Sequence, residues 1–128
     1  MADFGRIVVV ETDEPSREAL CSNLERIIGA GVHVMAFSSA SQVDGELVKA
    51  DLVLTNIGAS NNEQNLAAIL ERSKEECLAV PIIATSCSFF SSDDLAEKAR
   101  ELGVVACLSK PYRKRELRQV LELASQAT

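Results

Sequence analysis

Asp51-Leu52-Val53-Leu54-Thr55-Asn56 is a short apolar run that stops abruptly at an amide. Apolar residues at successive positions suit a strand buried on both faces, whereas a strand with one wet face alternates. Three other runs share the pattern. Ile7-Val8-Val9-Val10 leads into Glu11-Thr12-Asp13-Glu14. Val80-Pro81-Ile82-Ile83-Ala84-Thr85-Ser86 ends in a hydroxyl. Val104-Val105-Ala106-Cys107-Leu108-Ser109 runs into Lys110-Pro111. In an open parallel sheet, ligand chemistry gathers outside the carboxyl ends of the strands. A carboxylate, a hydroxyl and an ammonium are therefore expected to meet there around the Asn56 amide.

Helical patterns separate the strands. Pro15 suits a helix opening, where its missing N–H costs little. Leu20, Leu24, Ile27 and Ile28 then fall on one face, and Gly29 and Gly31 suit a left-handed end. Residues 32–37 read as the second strand, with the lone His33 at the start of a sheet edge. Ser39 with Gln42 fits a capping box for a short helix stopping near Ala50. Ser60 with Glu63 opens another, with Leu66, Ile69 and Leu70 inward. Ser91 and Ser92, followed by Asp93 and Asp94, begin a helix that buries Leu95, Ala99 and Leu102 and stops at Gly103. The last helix spans about residues 113–124, with Leu117, Val120, Leu121 and Ala124 on one face.

Five successive strand–helix units predict an α/β three-layer sandwich. Its sheet has five parallel strands in the flavodoxin-like order 2-1-3-4-5, with five helices. Residues 1–128 read as a single domain, since the length fits one core and no linker or repeat interrupts it.

Composition narrows the function. Apolar residues make up 47% of the chain and the net charge is −6, which disfavours disorder, nucleic acid and anionic membranes as partners. The longest apolar run, residues 78–84, is far too short to span a bilayer, and residues 1–6 lack the layout of a signal peptide. A cytoplasmic protein is expected. Cys21, Cys77, Cys87 and Cys107 form no C-x-x-C pair, so they read as reduced, buried hydrophobes, and a lone histidine makes no metal site.

With these pieces in order, residues 6–124 resemble the receiver domains of bacterial two-component response regulators. The resemblance rests on Ile7-Val8-Val9-Val10 before an acidic cluster and Arg17-Glu18, on residues 51–56 and 81–86, and on Lys110-Pro111-Tyr112 before Glu116-Leu117. In that family an aspartate ending the third strand takes a phosphoryl group from a histidine kinase and binds magnesium with two acids after the first strand. A hydroxyl ending the fourth strand and a lysine before a cis proline contact the phosphoryl group. The resemblance places Glu11 at the first acid, Ser86 at the hydroxyl, and Lys110 and Pro111 at the lysine and cis proline.

The departures are as informative. Asn56 stands at the phosphoacceptor position, Thr12 at the second acid, and Cys107 at the aromatic switch of the fifth strand. The loop Gly58-Ala59-Ser60-Asn61-Asn62 lacks the family's usual proline and glycine pattern. A shifted register would make Asp13 an acid of the pair, but Arg17 and the spacing from Glu11 to Asn56 favour the first register. Glu11 is also suited to cap the first helix.

An amide has no oxyanion with which to attack phosphorus. One glutamate against one lysine balances without a cation, with Asn56 and Ser86 completing the hydrogen bonds. The expected function is thus a non-enzymatic pseudo-receiver in a phosphorelay that holds no cofactor or metal and acts through protein contact. Arg113, Lys114, Arg115 and Arg118 crowd the start of the last helix, where cations oppose the helix dipole. They suggest an acidic protein partner on the fourth helix, fifth strand and fifth helix, and leave a homodimer open. The same residues also read as a solvated helix face. Two alternatives remain: a working receiver with an unusual acceptor site, or a small flavodoxin-like ligand-binding domain or enzyme. For a flavin, the anionic Glu11-Thr12-Asp13-Glu14 loop would repel the phosphate.

Overall fold

Arg6–Val10 form strand β1, in which all residues after Arg6 are buried. The structure, a computed structural model, describes residues 4–29, 31–43, 49–56, 71, 80–86, 97, 100–101 and 103–126. The other strands are β2 (His33–Phe37), β3 (Leu52–Asn56), β4 (Ile82–Ser86) and β5 (Ala106–Ser109). They form one parallel sheet in the order β2-β1-β3-β4-β5. Three of the four apolar runs form the inner strands β1, β3 and β4; the fourth forms β5, which is an edge, as is β2 with His33 at its exposed start.

Alternation along each strand divides the core in two. Ile7, Val9, Leu52, Leu54, Ile83, Ala106 and Leu108 pack on one side of the sheet. Helices α1 (Glu14–Ile28) and α2 (Lys114–Gln126) cover them with Leu20, Leu24, Ile27, Leu117, Val120, Leu121 and Ala124. Each fully buried leucine here contributes about 2 kcal/mol relative to an exposed one. Val8, Val10, Val53, Ile82 and Ala84 face the other side with Val43 and Val104. By the same alternation, Glu11, Asn56 and Thr85 continue the side that α1 covers.

Helix α1 is capped by Asp13, whose carboxylate accepts from the Ser16 N–H at 3.0 Å. Glu11 therefore does not cap this helix. It lies two residues earlier and points toward the sheet end. Gly29 closes α1 at φ 112, a left-handed backbone that favours glycine, and donates its N–H to Glu25 O. At the start of α2, Glu116 accepts from the Arg113 N–H at 2.9 Å and sets a carboxylate among the cations that oppose the dipole.

The expected α-helix after β2 begins instead as a 3-10 turn, Ala40–Gln42. The Gln42 side chain reaches one residue further back than a capping box requires, accepting from both the Ser38 N–H and the Ser38 hydroxyl. Most of the helices expected after β3 and β4 lie outside the described residues, as do Cys77, Cys87 and the 58–62 loop. Glu71, Glu97, Arg100 and Glu101 are helical where described.

Candidate functional site

The strand register brings the predicted residues to one end of the sheet. Val10 pairs with Thr55, Asn56 with Thr85 and Ser86 with Ser109. Glu11, just beyond Val10, therefore stands level with Asn56, and Lys110 lies one residue past the Ser86–Ser109 pair. The Lys110 N–H donates to Ser86 O at 2.9 Å, which ties the start of the β5 exit to the end of β4. The Lys110–Pro111 peptide bond is cis.

Glu11 is 2% exposed, yet its charge is matched. One carboxylate oxygen pairs with the Lys110 ammonium. The other accepts from the Asp13 N–H at 3.2 Å. The Glu11 carbonyl accepts from the Arg17 guanidinium at 2.8 Å. Lys110 is 22% exposed, so the ammonium is the partner that meets the space above the site. Burial lowers its pKa, and the adjacent Glu11 carboxylate acts in the opposite sense. The Asn56 amide donates to the Thr12 hydroxyl at 3.0 Å. Two of the residues that depart from the receiver pattern thus bond each other.

The arrangement fits magnesium poorly. Magnesium wants several oxygen ligands in near-octahedral geometry, chiefly carboxylates. Glu11 is turned to Lys110, the Thr12 oxygen receives the Asn56 amide, and Asp13 is committed to Ser16. No cluster of three or more His, Cys, Asp or Glu suited to a metal occurs among the described residues.

Asp13 is exposed, and hydrogen bonds from the Ser16 hydroxyl and N–H, helped by Arg17, hold its carboxyl below the ordinary value. A depressed folded pKa stabilises the fold above the unfolded value, and this contribution disappears as pH falls through the folded one. Asp13→Asn keeps a capping oxygen but removes the titration. Its unfolding midpoint should therefore fall less steeply than that of the unmodified chain between about pH 6 and pH 2. Parallel curves for the two proteins would show that this carboxyl contributes nothing to acid sensitivity.

Arg113, Lys114, Arg115 and Arg118 are all exposed around the first turns of α2. Cys107 is half-buried on the side of the sheet away from α1, where burial raises its thiol pKa. Cys21 is half-buried on α1, and both cysteines are free thiols.

A cavity of about 670 Å³ opens above the strand ends. Several of its residues were not among the expected site residues: Ser16, Ala19, Leu20 and Asn23 from α1, with Thr85 and Tyr112. Asn23 donates to the Tyr112 hydroxyl at 3.4 Å. The available signal was helical spacing, since residues 16, 19, 20 and 23 share one face of α1 and two of them are polar.

The fold is that of response regulator receiver domains. The chain is similar to FixJ-N, with a TM-score of 0.77 and 19% identity over 98% of this chain and 96% of that one. The receiver domain of NtrX from Brucella abortus matches with a TM-score of 0.76 and 20% identity, over 95% of this chain and 99% of that domain. Vibrio cholerae chemotaxis protein CheY4 gives a TM-score of 0.74 and 15% identity, with 95% and 99% covered. No family model and no curated protein matches the sequence. Among the described residues, no helix is long and apolar enough to cross a membrane.

Proposed function

We propose that residues 1–128 act as one degenerate receiver domain of a cytoplasmic two-component pathway, signalling by protein contact without phosphoryl transfer. The observation that carries this reading is the Glu11–Lys110 pair. In the receiver pattern the lysine contacts the phosphoryl group and two acids bind the metal with the phosphoacceptor aspartate, whereas here one acid, Glu11, remains and its charge is balanced by Lys110. Asn56 offers no oxyanion, and its amide is engaged with Thr12. The contact face we propose is the exposed basic group at the start of α2, which suits an acidic partner and an electrostatically steered encounter. Cys107, at the switch position, lacks the bulk of an aromatic ring that could swing between two packed states.

Incubation with acetyl phosphate and magnesium should leave the intact mass unchanged, and beryllofluoride should leave the backbone amide spectrum unchanged. Affinity for a captured partner should be indifferent to the phosphoryl donor. It should fall with added salt and with Arg113→Glu and Arg115→Glu together. Uptake of one phosphoryl group that disappears in Asn56→Ala would overturn the phosphorylation-independent reading. Charge reversals without effect on the partner would remove the basic face from it.

A further inference from the structure

We propose that the cavity above the strand ends binds a small organic carboxylate with an apolar body. Its volume of about 670 Å³ lies within the range typical of small-molecule sites. Ala19 and Leu20 of α1 line one part of it, and Pro111 and the Tyr112 ring another. These surfaces suit an aliphatic chain or a single aromatic ring.

The polar groups select the head of the ligand. Among the described residues, Glu11 is the one acceptor for the Lys110 ammonium, which carries three N–H groups. The Tyr112 hydroxyl accepts from Asn23 and, among the described residues, meets no acceptor for its own proton. Burial raises the Tyr112 pKa, so the hydroxyl keeps that proton through the neutral range. The cavity therefore offers spare donors, from an ammonium and a phenol. Its acidic groups are already engaged: Glu11 is buried and paired, and Asp13 caps α1.

An acceptor-only head complements such a lining, and a carboxylate is the acceptor-only group that also gains from the ammonium charge. An amine would meet donors with its own donors. Inorganic phosphate would leave the apolar walls unfilled and bring its second charge close to Glu11 and Asp13. The inference goes beyond the proposed signalling role and rests on the lining of the cavity alone. Phosphoryl uptake by the chain would overturn that role without deciding this binding, and the converse also holds.

The test is titration of the isotope-labelled full chain with phenylacetate and octanoate, followed by amide NMR. The matched controls are 2-phenylethylamine and inorganic phosphate. At least one acid should give saturable shifts at Ala19, Leu20 and Tyr112, with a dissociation constant of roughly 0.1–1 mM for a ligand of this size. Neither control should saturate. Tyr112→Phe should weaken the acid about tenfold by removing one donor to a charged group. Ala19→Trp, at an exposed position on the cavity wall, should abolish binding while leaving thermal unfolding unchanged. The proposal is overturned if neither acid saturates, if the amine binds as well as its matched acid, or if the acid binds Ala19→Trp with undiminished affinity.

Discussion

Lys110→Ala is expected to lower the unfolding free energy by about 2–4 kcal/mol, because it strands a carboxylate that is 2% exposed. The lower part of that range is favoured, since water already reaches the ammonium side of the pair. For a chain of 128 residues, each kcal/mol moves the unfolding midpoint by roughly 3–5 °C. The loss should therefore be plain in a simple thermal melt. Replacing both members, Glu11→Leu with Lys110→Met, should restore most of it, since a buried pair is often no better than an apolar one of similar volume. The double variant separates a stranded charge from lost packing. If Lys110→Ala changes stability by less than about 0.5 kcal/mol, the Glu11–Lys110 contact is not a structural pair and the site is not self-balanced.

The second large effect is a gain of metal dependence. Thr12→Asp with Asn56→Asp sets two further carboxylates beside Glu11, against one lysine. Without a cation this variant should be less stable than the unmodified chain by about 1–3 kcal/mol, because like charges at one site oppose ionisation and packing. Magnesium at about 10 mM should return about 1.5–2.5 kcal/mol through a dissociation constant in the submillimolar range, and a chelator should reverse the gain. The unmodified chain should show no stabilisation by the same magnesium, its own affinity lying well above the millimolar range. Equal stabilisation of both proteins would mean that Asp13 leaves Ser16 to serve a metal, and that the acid pair must be reassigned to include Asp13.

The sheet was legible because inner parallel strands need apolar residues on both faces. Residues 7–10 and 52–54 have that property and nothing helical about them. The location of Glu11, Asn56, Ser86 and Lys110 at one end followed from parallelism alone, since every strand points the same way. What each side chain bonds did not follow. Glu11 and Asp13 are both acids within one turn of the helix start, and only the backbone path decides which of them caps α1 and which turns inward. The Asn23–Tyr112 bond joins residues 89 apart in the chain, beyond the reach of any local pattern. The segment after β2 misled for a related reason. Ser39 and Gln42 have the right spacing for an α-helical cap, but Gln42 bonds Ser38 and the backbone tightens into a 3-10 turn.

The pairing of Glu11 with Lys110 also bears on time. A phosphorylated receiver carries a chemical clock, since its signal lasts as long as the acyl phosphate survives hydrolysis. An internal ion pair forms when the chain folds and is not consumed. Under the proposed role, the strength of the output then follows the number of folded copies in the cell. Its duration follows synthesis and degradation, so the half-life of the chain becomes the half-life of the message.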